Sequence, residues 1–66
     1  MSLKFDMEYG VFGNVTNFSA QLLRLMQKAD MSNRARLAIA FPNAYAVFTA
    51  EREGREIPDL PYDGQE

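Results

Sequence analysis

Polar and apolar residues alternate from Ser2 to Tyr9. Leu3, Phe5, Met7 and Tyr9 fall on one side of an extended chain, and Lys4, Asp6 and Glu8 on the other. Period two with aromatic residues predicts a half-buried β-strand over about 2–9. Gly10 and Gly13 bracket Val11 and Phe12 and bend or end that strand. A lone strand leaves backbone groups unpaired. Two solutions stay open at this point: a hairpin with Val11 to Thr16 or with the segment around Ile57, or pairing across a two-fold axis with a second copy.

From Asn17 the period changes. Phe18, Leu22, Leu25, Met26 and Ala29 recur on one helical face, Leu23 widens it, and Gln21, Arg24, Gln27 and Lys28 fill the other side. This spacing predicts a helix over about 18–29, with Asn17 as N-cap. Asp30-Met31-Ser32-Asn33 offers capping groups for a second helix over 31–40. Phe41 precedes Pro42, and a residue before proline is pushed out of helical space, so the second helix ends near Ala40. Pro42 then opens a third helix, over 42–53, on which Phe41, Tyr45, Phe48 and Arg52 are spaced i, i+4, i+7, i+11. Glu51 with Arg55 and Arg52 with Glu56 make i, i+4 charge pairs near its end, and Gly54 terminates it.

These elements predict a mostly helical α+β domain over 1–54: one N-terminal strand and three short helices, dimeric through the strand. The expected core is Phe18, Leu22, Leu25, Met26, Leu37, Phe41, Tyr45 and Phe48. Residues 55–66 carry two prolines and few apolar groups and read as an acidic tail, extended or disordered, with a mobile tail favoured over one docked in polyproline form.

Length and composition sharpen this picture. A 66-residue chain has a small core, and such scaffolds usually gain support from disulfides, a metal or an oligomer interface. Cys and His are both absent, so disulfides and ordinary structural zinc sites are excluded and self-association is the expected support. The apolar fraction of 47% is that of a globular chain. No apolar run approaches the roughly 18 residues of a membrane span, and the N-terminus lacks the pattern of a signal peptide. A cytoplasmic protein without membrane contact is expected.

Charge is unevenly spread. Arg24, Lys28, Arg34 and Arg36 face Asp30 alone in the middle of the chain, whereas six acids face Arg52 and Arg55 from Glu51 onward. A basic waist followed by an acidic tail marks two candidate surfaces. The first is for nucleic acid. Two helices joined by a tight turn, with Asn33, Arg34 and Arg36 early in the second and Arg24 and Lys28 nearby, have the outline of a helix-turn-helix. The plainer reading is that these cations solvate a helix face, since DNA affinity rests on phosphate neutralisation and acids dominate overall. The second surface is for a protein partner: Tyr9, Phe12 and Tyr62 lie outside the helical stripe, and Glu56, Asp59 and Asp63 could compete for a basic surface on a target. For each aromatic, a core role is the competing reading.

Catalytic chemistry finds no foothold. Without His or Cys the commonest bases and nucleophile pairs are missing, and Gly10-Val11-Phe12-Gly13 lacks the spacing and lysine of a phosphate loop. The chain reads as a non-enzymatic protein without cofactor or metal.

The run Asn17-Phe18, Leu22-Leu23, Lys28-Ala29-Asp30, Asn33-Arg34, Leu37, Phe41-Pro42 resembles a group of small bacteriophage and prophage proteins. The likeness covers about half the chain, and its most specific part is the Lys-Ala-Asp to Phe-Pro segment. Proline commonly follows the aspartate in that pattern; here Met31 stands instead, which keeps the cap logic. The resemblance implies a phage origin and the host cell cytoplasm as the compartment. It carries over no functional residue. The reading is an accessory protein of adaptor or inhibitor type that binds a host or phage protein. Alternatives are a small nucleic-acid-binding regulator and a minor virion or assembly component.

Overall fold

A computed structural model describes residues 2–11, 13 and 15–64. All its regular elements are helical. Helix α1 (Leu3–Phe5) runs on into a π-helical turn (Asp6–Gly10), followed by α2 (Phe18–Lys28), α3 (Met31–Ala40) and α4 (Pro42–Arg52). The expected N-terminal strand, and with it the α+β class and the strand-mediated dimer, is overturned.

The physical reason lies in the spacing itself. Leu3, Met7 and Val11 are four residues apart and are all buried, whereas Phe5 and Tyr9, also four apart, are exposed, their rings in tilted contact with centroids 5.1 Å apart. Alternation in an odd-numbered row therefore resolves into two opposite helical rows. Ser2 starts the helix, its Oγ accepting from the Phe5 amide at 3.0 Å, and the Val11 amide donates to the Asp6 carbonyl at 2.9 Å to close the wider turn. A helix satisfies its backbone internally, and the described residues provide no second strand that could do so.

Helix α4 lies at the centre, packed on α2, on α3 and on the N-terminal helical segment; α2 packs on α4 and on the π-helical turn, and α3 chiefly on α4. Leu3, Met7, Val11, Leu22, Leu23, Met26, Ala44, Val47 and Phe48 form the core. Gly10 is pressed against α2: a Cβ there would lie 3.3 Å from Ala20 Cβ. Of the expected core, Leu37, Phe41 and Tyr45 are half-buried against the cluster, while Phe18 and Leu25 lie at the outer edge of the α2 stripe and are each 51% exposed. Asn17 stands at the α2 N-cap position, but its side chain turns away to Asp6.

Each later boundary has a local cause. Asp30 Oδ1 accepts from the Asn33 amide at 2.8 Å and caps α3. Phe41 leaves helical space before Pro42 (φ −134°, ψ 69°) and has no side-chain oxygen with which to cap α4. The cap arrives from 20 residues downstream, where the Asp63 carboxylate accepts from the Asn43 amide at 2.8 Å and the Ala44 amide at 3.0 Å. Gly54 ends α4 at φ +72°, and the Arg55 amide reaches back to the Ala50 carbonyl, closing a Schellman turn. The i, i+4 charge pairs beyond α4 do not form, because Arg55 and Glu56 have left the helix; the ion pair among the described residues is Arg55 with Glu53, exposed, at 2.9 Å.

After Gly54 the chain is extended and seated on the helices. Ile57, Leu60 and Tyr62 pack against the core, and the Tyr62 hydroxyl donates to Asp6 Oδ2 at 2.9 Å. Asn43 Nδ2 donates to the Pro61 carbonyl at 3.1 Å.

Candidate partner-binding surface

Helix α3 has no buried residue. Its Leu37 and half-buried Arg34 lean on the core side, and the rest of its surface faces outward. Met31 and Ile39 are 85% and 84% exposed. With Ala35 between them at i, i+4, i+8, they form an uncharged outer stripe.

A groove of about 470 Å³ separates α3 from the end of α2, lined by Leu25, Lys28, Ala29, Asp30, Asn33, Arg36 and Leu37. A second hollow of about 340 Å³, lined by Phe18, Gln21, Leu22 and Leu25, adjoins it through Leu25. The Phe18 and Phe41 rings meet at 5.9 Å at the far end, so α2 and α3 run antiparallel; the groove lies between them, and the second hollow extends it along the α2 side alone. The floor of this trough is apolar and its rim polar, the layout of many binding sites.

The structure separates the five residues of the nucleic-acid reading. Lys28, Asn33 and Arg36 meet at the groove, with Arg36 Nη1 donating to Asn33 Oδ1 at 3.0 Å. Arg24 is occupied elsewhere: Nε donates to the Val11 carbonyl at 3.0 Å, and Nη2 reaches the carbonyls of Gly10, Gly13 and Val15. Arg34 caps the end of α2, donating to the Met26 carbonyl at 2.9 Å and to the Gln27 carbonyl at 3.2 Å, with its guanidinium 5.2 Å from the Phe48 ring centre.

The residues of the protein-partner reading are not brought together. Tyr9 is exposed beside Phe5, Phe12 lies outside the described residues, and Tyr62 turns inward to Asp6. Glu56 and Asp59 are exposed on the extended segment, while Asp63 is engaged at the start of α4. Periodicity does not reveal the groove residues Leu25 and Leu37, which it assigns to the core. The outer row of Met31, Ala35 and Ile39 is missed by the sequence analysis; its signal is their i, i+4, i+8 spacing. Among the described residues no group of three or more acidic side chains is placed to hold a metal ion, and no helix is long and apolar enough to cross a membrane.

Comparison of the chain with protein families, curated proteins and solved structures gives no match.

Proposed function

We propose that this chain is a non-enzymatic, phage-encoded accessory protein that binds a host or phage protein through the face built by α2 and α3. The observation that carries the reading is the packing of α3: none of its ten residues is buried, and large apolar side chains stand open on it and across the groove. Large apolar side chains left exposed on two neighbouring helices of a small domain support an interaction site. The phage origin rests on the likeness carried by Lys28-Ala29-Asp30 and Phe41-Pro42.

The test is a tagged pull-down from bacterial host lysate, with and without nuclease, comparing the wild type with Leu25→Glu and with the double variant Met31→Glu, Ile39→Glu. A stoichiometric protein that survives nuclease and is lost from either variant supports the reading. Capture that persists in both variants removes this face from it.

One observation favours the regulator as second reading: Lys28, Asn33 and Arg36 are exposed together near the start of α3. It counts three groups and not five, since Arg24 and Arg34 hold backbone carbonyls. Recovery of nucleic acid alone, abolished by Lys28→Ala with Arg36→Ala, establishes that reading in place of the first. Co-sedimentation with particles is the corresponding check for a virion component.

A further inference from the structure

The trough between α2 and α3 has a shape and a charge that narrow the partner. We infer that it receives an acidic amphipathic helix of another protein, apolar face down on Leu25 and Leu37 and carboxylates toward Lys28 and Arg36. The inference rests on the protein-binding reading above and adds the chemistry of what is bound.

Shape argues for a helix. The floor runs along α2 from Phe18 to Lys28, a rise of about 15 Å, which matches roughly three turns of a partner laid alongside. Apolar anchors at i, i+3, i+4 and i+7 are how helices enter such grooves, whereas an added strand needs a sheet edge, and the described residues provide none.

Charge argues for acids. Residues 17–50 carry four cations and one acid. That acid, Asp30, already accepts the Asn33 amide at the α3 N-terminus. Lys28 and Arg36 stand on the groove rim and make no ion pair among the described residues. Arg24 and Arg34, held by carbonyls nearby, add positive potential without being available to a partner. Complementary potential of this kind sets which partner is accepted and how fast it associates. The chain's own excess of acids lies beyond Glu51, on the exposed end of α4 and the extended segment.

The experiment uses a synthetic amphipathic helical peptide with leucines at i, i+3, i+4 and i+7 and glutamates on both flanks, and its counterpart with lysines in place of the glutamates. Binding to the full chain is read by fluorescence anisotropy, and the site by amide chemical shifts. The glutamate peptide should bind about tenfold more tightly than the lysine peptide, lose affinity as salt rises, and perturb Leu25, Lys28, Asn33, Arg36 and Leu37. The double variant Lys28→Glu, Arg36→Glu, at two exposed positions, should keep the helical circular dichroism and reverse the preference. Equal affinity for both peptides, shifts mapping away from the groove, or a preference unchanged in the double variant each overturns the inference. So does tighter binding of a mixed-sequence DNA duplex than of the glutamate peptide at physiological salt. Loss of the charge preference alone leaves partner capture through Leu25 and Met31 intact, so the two readings fail separately.

Discussion

Asp6 is the residue whose environment is least expected from its neighbours. It is fully buried, Oδ2 accepts from Asn17 Nδ2 at 3.2 Å and from the Tyr62 hydroxyl at 2.9 Å, and it has no cationic partner among the described residues. Asp6 Oδ1 and Asn17 Oδ1 are also buried without a hydrogen-bond partner there. Such groups carry the cost of desolvation without full compensation. Two substitutions separate the hydrogen bonds from the charge. Asp6→Ala removes the shared acceptor of both bonds and is expected to cost about 2–3 kcal/mol in urea unfolding. Asp6→Asn keeps an acceptor and removes the buried charge, so it should stay within about 1 kcal/mol of the wild type or exceed it. If Asp6→Asn costs as much as Asp6→Ala, the charge itself holds Asn17 and Tyr62. Nothing in the local pattern points to this role, because Asp6 sits where an alternating strand would place a solvent-facing side chain.

At the scale of elements, the helices are joined by two arginines acting on backbone carbonyls. Arg24 gathers the carbonyls of residues 10, 11, 13 and 15 as the chain leaves the π-helical turn. Its planar fork suits several acceptors at once, which a lysine ammonium does not reproduce. Arg24→Ala is therefore expected to destabilise by about 2–3 kcal/mol, and Arg24→Lys to recover less than half of that, as measured by chemical denaturation. Arg34→Ala, which removes a cap of α2 and a cation over Phe48, should cost about 1–2 kcal/mol. By contrast Met31→Glu with Ile39→Glu should leave stability within about 0.5 kcal/mol, because both side chains are exposed. Signals for α2, α3 and α4 are legible in the sequence: Phe18, Leu22 and Met26 give the period, Asp30, Phe41-Pro42 and Gly54 the ends. The first helix is not, since Leu3, Phe5, Met7 and Tyr9 satisfy periods of two and of four alike. The helical form is the one that needs no pairing partner, and the described residues provide no strand. The groove was legible in part. Lys28 and Arg36 stand out by charge and Asn33 by its place in the capping cluster, but the roles of Arg24 and Arg34 depend on carbonyls that periodicity does not locate.

For the whole molecule, the segment after Gly54 decides how binding is to be tested. Its anchors are long-range, Tyr62 meeting Asp6 across 56 positions, which is why prolines and acids alone read as a tail. Removing residues 55–66 strips Ile57, Leu60 and Tyr62 from the core, takes the cap from α4 and leaves Asp6 with one donor fewer. Each half-buried apolar contact is worth about 1 kcal/mol, the cap about 1 kcal/mol and the tyrosine bond about 1 kcal/mol. Their sum, about 5 kcal/mol, is of the order of the roughly 3–10 kcal/mol total expected for a chain of this length. The truncated chain should thus lose its cooperative thermal transition and the dispersion of its amide spectrum. Loss of partner capture on truncation then reports unfolding, not an acidic contact. Glu56→Gln with Asp59→Asn is the discriminating variant, because both side chains are exposed and the change should leave stability within about 0.5 kcal/mol. Capture unchanged in that variant but lost with Lys28→Glu, Arg36→Glu places the recognition charge on the α2–α3 groove. Capture lost in the first and kept in the second returns it to the acidic segment, and the groove reading fails.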